Sequence, residues 1–70
     1  MKIKNRVRVA RVEKDLTQEE LAERVEVTRQ TIGLIEKEKY NPTLFLCFKL
    51  TKVLGKTLDE LFWMEDEEDS

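Results

Sequence analysis

The sequence predicts an all-α fold, a compact five-helix bundle, on three observations. Threonines stand at four places where a helix can begin (Thr17, Thr28, Thr43 and Thr57), apolar residues after them recur at helical spacing, and Pro42 and Gly55 sit where helices would stop. A chain of 70 residues supports a single core. Apolar and charged residues each make up 40%, too apolar for disorder and too charged for a membrane-embedded chain.

The elements follow in order. Lys2 to Val9 alternates like a strand, while Val7, Ala10 and Lys14 step like a helix. A first helix from about Asn5 to Lys14 is preferred because no other segment looks like a strand partner; Met1 to Lys4, ahead of it, can be extended. Thr17-Gln18-Glu19-Glu20 is a capping box, in which the Thr17 hydroxyl accepts from the Glu20 amide and the Glu20 carboxylate reaches back to the Thr17 amide. Leu16 and Leu21 flank it as a hydrophobic staple, and the second helix runs to about Val25. Thr28 caps a third helix with Ile32 and Ile35 on one face, and Val27 and Ile32 form its staple. The short link between these two helices forces a large crossing angle, which is helix-turn-helix geometry.

Pro42 pushes Asn41 out of the helical region, so a loop belongs at 39–42. Tyr40 is expected to pack beneath it. Thr43 caps a fourth helix whose positions 44, 47, 48, 50, 51 and 54 form the apolar arc, with Gly55 as a left-handed stop. Thr57-Leu58-Asp59-Glu60 is a second capping box and opens a last short helix through Leu61, Phe62 and Trp63. The folded domain is therefore expected over residues 1–63, and 64–70 as an acidic, disordered tail.

Counting excludes many chemistries. Histidine is absent and Cys47 is the only cysteine, which removes zinc fingers, Cys-His nucleophilic pairs and disulfides. Neither Gly33 nor Gly55 belongs to a phosphate-cradling loop. No enzyme activity, metal, cofactor or small-molecule ligand is expected. Cys47 reads as a small buried hydrophobe. The longest apolar run, Leu44 to Phe48, is far below the roughly 18 residues of a membrane span, and no signal-peptide stretch follows the basic N-terminus, so a cytoplasmic location is expected.

The net charge of −2 hides an uneven distribution. Residues 65–69 are all acidic, which leaves the first 63 residues with thirteen bases against ten acids. A basic head of this kind suits a nucleic-acid partner. The acidic run is either a solubility segment or an electrostatic competitor for the basic face.

Residues 16–62, LTQEELAERVEVTRQTIGLIEKEKYNPTLFLCFKLTKVLGKTLDELF, resemble the helix-turn-helix domain of the Cro, phage-repressor and Xre regulators. Thr17-Gln18, Leu21-Ala22, Val27-Thr28, Ile32, Ile35-Glu36, Asn41-Pro42, Leu44, Gly55 and Leu61-Phe62 all fall at that family's spacing. The resemblance implies a lambda-repressor-like DNA-binding domain. Its third helix would lie in the major groove of double-stranded DNA and read bases with Thr28, Arg29, Gln30, Gly33 and Leu34. Chemistry independently suits two of these, since Arg pairs with guanine O6 and N7, and Gln with adenine N6 and N7. Gly33 offers no side chain: it either permits close approach, with Leu34 against a thymine methyl, or marks a short readout.

The resemblance further implies phosphate contacts from Gln18, Thr31, Lys37, Lys39 and Asn41, and an ion pair between Arg11 and Glu36 that turns the acid inward. Glu26 departs from the family, which commonly has glycine at this left-handed turn. A homodimer on a near-palindromic operator is expected, with Val9, Val12, Phe45, Phe62 and Trp63 as interface candidates. The whole reads as a DNA-binding transcriptional regulator, a repressor. The alternative is a protein-interaction or antitoxin-like module on the same fold, relying on Phe45, Trp63 and Val9 instead of the basic set.

Overall fold

In the computed structural model each threonine named above closes the first turn of a helix, and the described residues are 1–66. The helices are α1 (Val7–Glu13), α2 (Gln18–Val25), α3 (Arg29–Glu36), α4 (Leu44–Leu54) and α5 (Leu58–Leu61). The hydroxyls of Thr17, Thr28, Thr43 and Thr57 accept from the amides of Glu20, Thr31, Leu46 and Glu60, and Thr17 and Thr57 form complete capping boxes. Such caps are typically worth about 1 kcal/mol each. α1 has no threonine and borrows Asn5, whose Oδ1 accepts from the Val7 amide at 3.0 Å while its Nδ2 donates to the Ile35 carbonyl at 2.9 Å. One side chain thus starts α1 and ties down the end of α3.

The bundle is not purely helical. Strand β1 (Lys2–Asn5) pairs antiparallel with β2 (Phe62–Glu65), with Ile3 opposite Met64 and Asn5 opposite Phe62. The expected helix from Asn5 to Lys14 is therefore shorter, and the last helix stops at Leu61 rather than running through Phe62 and Trp63. Phe62 adopts extended angles (φ −134°, ψ 141°), and the Arg6 amide donates to the Leu61 carbonyl at 2.9 Å, joining the chain ends. Met64 and Glu65, assigned from the sequence to the tail, belong to this strand. Of the acidic tail, residues 67–70 lie outside the described residues.

The core runs from Val7 and Ala10 through Leu21, Val25, Ile32 and Ile35 to Leu50, Leu54 and Leu61. On α4 the buried face is Leu46, Cys47, Leu50 and Leu54, whereas Leu44 and Phe48 are exposed. The expected arc was rotated because an almost continuously apolar first turn, Leu44 to Phe48, fixes no single face. Tyr40 is likewise exposed rather than packed under the loop. Cys47 is buried, its thiol 3.9 Å from the Pro42 carbonyl, and burial pushes its pKa up, which keeps it a neutral hydrophobe. Among the described residues no helix is long and apolar enough to cross a membrane.

Left-handed residues end the first three helices without any glycine: Asp15, Glu26 and Glu38 all have φ of 62°. At Glu26 the surroundings compensate. Lys49 Nζ lies 2.8 Å from the Glu26 carboxylate and 3.4 Å from the Val25 carbonyl, and sits 4.7 Å over the Phe45 ring. The lysine thus covers the carbonyl end of α2, where a cation is favoured. Its hydrogen bond, and secondarily its charge, hold the Glu26 carboxyl below the ordinary 4.5. Because folding lowers this pKa, the contribution is complete above the ordinary value and fades as pH falls through the lowered one. Glu26→Gln should lose it at neutral pH, so that urea midpoints of the two proteins, apart at pH 7, draw together as pH falls from 4.5 through the lowered value. A constant difference across that range would contradict the assignment.

Candidate nucleic-acid interface

The turn at 26–28 holds α2 and α3 in one unit. The Val27 amide donates to the Ala22 carbonyl at 2.9 Å, and Val27 packs against the core. α3 is anchored from behind by Ile32 and Ile35, both fully buried, so its opposite side faces solvent. Arg29, Gln30 and Leu34 are exposed there, Gly33 is half-buried, and Thr28 stands at the N-cap. The Thr28 hydroxyl accepts from the Thr31 amide and lies 3.0 Å from the Thr31 hydroxyl, a pair that closes the first turn and leaves one O–H to donate outward.

Gln18, Arg29 and Glu36 come together with Arg11, as a chain of polar contacts running from the core outward. Arg11 Nε donates to Glu36 Oε2 at 2.7 Å and its Nη2 to Oε1 at 3.3 Å, while Nη1 donates to the Leu16 carbonyl at 2.8 Å. The Glu36 side chain is only 4% exposed. Glu36 Oε1 also accepts from Gln18 Nε2 at 3.0 Å, and Gln18 Oε1 accepts from Arg29 Nη1 at 3.3 Å. The contact between Glu36 and Gln18 was not legible in sequence: the two are eighteen positions apart on different helices.

Lys37, Lys39 and Asn41 follow α3, all exposed and without side-chain partners among the described residues. They are not drawn into the network. Glu38, between them, faces Lys4 at 3.4 Å and Lys2 at 4.0 Å, which turns the one acid of this segment toward β1.

Gly33 has space around it. A Cβ there would meet only Gln18 Nε2, at 3.9 Å, an ordinary contact. Gly33→Ala should therefore add about 0.5 to 1 kcal/mol of stability through helix propensity, read as a higher urea midpoint. A lower midpoint would show that this face of α3 does not tolerate a methyl group.

The interface candidates fall apart into separate surfaces. Val9 and Val12 are exposed on α1, and Phe45 is exposed on α4 beneath Lys49. Phe62 is half-buried against the chain's own core, and Trp63 carries Arg6 over its ring at 5.1 Å. An apolar groove between the sheet, α4 and α5 is lined by Ile3, Leu44, Leu58, Phe62, Trp63 and Met64, and so takes in two of the candidates. Leu44 and Leu58 were missed because each looked like a core residue until the strand closed beside it.

The helix-turn-helix family profile matches residues 7–61. An uncharacterized HTH-type transcriptional regulator of Methanocaldococcus jannaschii is 46% identical over 66 residues, covering 94% of this chain and 100% of that relative. A protein of the same description from Bacillus subtilis is 42% identical over 65 residues, covering 93% of this chain and 98% of its own length. Among solved structures, the restriction-modification controller protein C.AhdI from Aeromonas hydrophila superposes with a TM-score of 0.72 at 31% identity, covering 77% of this chain and 82% of that one.

Proposed function

The chain belongs to the helix-turn-helix family that the Cro and Xre regulators typify, and from that premise we propose that it is a transcriptional regulator of double-stranded DNA rather than an enzyme. α3 lies in the major groove, where Arg29 and Gln30 meet base edges and Leu34 meets a thymine methyl. Gln18, Thr31, Lys37, Lys39 and Asn41 approach phosphates on either side. The observation that carries this reading is the first turn of α3: its polar side chains project to solvent while Ile32, Ile35 and Glu36 fasten its back. The names of the relatives and of the controller protein point the same way.

The protein acts as a homodimer in the cytoplasm, a repressor that occupies a near-palindromic operator. Support for two copies comes from size, since a single module covers only about 600 to 1,000 Å² on DNA and a dimer doubles the contacts. The apolar groove beside α5 supplies a surface that a second copy can cover.

Titration of a mixed-sequence duplex at several salt concentrations tests the reading. Binding should weaken steeply as salt rises, and Lys39→Ala should weaken all sequences about equally and reduce the slope of log affinity against log salt by roughly one. A sequence-selective loss would remove Lys39 from the phosphate contacts. Failure of the wild-type protein to retain duplex at about 50 mM salt would overturn the function itself.

A further inference from the structure

We propose that the acidic run beginning at Glu65 docks on Lys37 and Lys39, the lysines that follow α3, and competes there with the DNA backbone. The proposal rests on the DNA-binding reading and adds to it a control of affinity carried by the same chain.

The two-stranded sheet decides where the run is delivered. Side chains two residues apart on a strand share a face, so Lys2 and Lys4 of β1 stand together, and Glu65 of β2 lies opposite Lys2 in the register. Glu38 reaches the same face from the turn after α3. One ammonium group joins the two acids: Lys4 Nζ lies 3.4 Å from Glu38 Oε1 and 3.8 Å from Glu65 Oε1. The first acid of the run is therefore seated beside the turn that carries Lys37 and Lys39, the sequence neighbours of Glu38. Because β2 runs antiparallel to β1, Glu65 also stands level with Lys2, whose Nζ is 4.0 Å from Glu38.

Charge and reach select the occupant. Asp66, Glu67, Glu68 and Asp69 follow Glu65 with no base among them, the last three lying outside the described residues. A chain spans at most about 3.3 to 3.6 Å per residue, so four residues reach up to roughly 14 Å beyond Glu65, whereas Lys37 and Lys39 are each one residue, about 3.8 Å between Cα atoms, from Glu38. Lys2 and Lys4 are already held by Glu38, but Lys37 and Lys39 are exposed and have no side-chain partner among the described residues. One negative charge per residue also approximates the density of a DNA strand, about one charge per 3.4 Å. A lysine ammonium, a compact point charge, accepts either partner.

Two measurements on the full chain test this. Carbodiimide coupling joins carboxylates to amines in contact; read by peptide mass spectrometry, it should link residues 66–69 to Lys37 or Lys39, and an excess of mixed-sequence duplex should suppress the link. Replacing the four acids together (Asp66→Asn, Glu67→Gln, Glu68→Gln, Asp69→Asn), with Glu65 kept for the sheet, should tighten duplex binding about tenfold at about 50 mM salt, the order that two phosphate contacts contribute. The gain should shrink as salt rises toward about 0.3 M. In a Lys37→Ala/Lys39→Ala background the same replacement should change binding less than about twofold. An equal gain in both backgrounds, with no link to either lysine, would show that the run acts through overall charge alone and would overturn the proposal, as would no gain in the wild-type background. Failure of the wild-type protein to retain duplex would instead remove the DNA-binding premise, while the coupling, read without DNA, still decides whether the run docks.

Discussion

Arg11→Met should destabilise the protein by about 3 to 5 kcal/mol, because it strands a buried carboxylate. The Arg11 side chain is 12% exposed and Glu36 only 4%, so solvent does little to replace the lost guanidinium. Three hydrogen bonds go at once, two to Glu36 and one to the Leu16 carbonyl. Domains of this length have total stabilities of roughly 4 to 10 kcal/mol, so the variant should be partly unfolded at physiological temperature. Equilibrium urea denaturation reads the loss directly. The doubly substituted Arg11→Met/Glu36→Leu protein should recover much of it, since removing both charges abolishes the desolvation cost that a lone one carries. An Arg11→Met protein of unaltered stability would show that the pair behaves as a surface contact.

Ile35→Ala should cost about 2 to 5 kcal/mol, the range for truncating a fully buried aliphatic side chain. Its importance lies in where the cavity would open. α3 is held to the bundle by Ile32, Ile35, the Glu36 carboxylate and the bond from Asn5 to the Ile35 carbonyl. Loosening that side frees the helix whose other side carries Arg29 and Gln30. Ile35→Val, which removes one methylene, should cost only about 0.5 to 1.5 kcal/mol. Chemical denaturation of both proteins checks the pair of values, and a loss under 1 kcal/mol for the alanine variant would mean that the bundle closes around the gap.

The helical part of this fold was legible because its signals are local. Four threonine caps, two capping boxes and a glycine stop each occupy a few adjacent residues, and each marks a helix end in the structure. The sheet was not legible, although half of its signal was present in the alternation of Lys2 to Asn5. Its partner, Phe62 to Glu65, lies at the opposite end of the chain, and a strand with so distant a partner is recognised only once the bundle has brought the ends together. Glu26 shows the reverse case. A left-handed turn was implied at that position, and what offsets its strain, Lys49 reaching across from α4, could not be read from either residue alone.

At the candidate interface, the sequence marked the individual groups on α2 and α3. It could not show that Gln18 joins Glu36 to Arg29, because a contact between side chains on different helices depends on their crossing and on which rotamers the core allows. The interface candidates suffered from the same limitation. Val9, Val12 and Phe45 are exposed as their helical positions suggest, yet the groove among Leu44, Leu58 and Met64 exists only because β2 closes it.

Selection of bound duplexes from a random pool at physiological salt tests the central claim most directly. The account predicts enrichment of a motif with two-fold symmetry, its half-sites about one helical turn (roughly 34 Å) apart and each containing a guanine whose preference disappears with Arg29→Ala. A pool that emerges unenriched, from a protein shown to be folded, would contradict it.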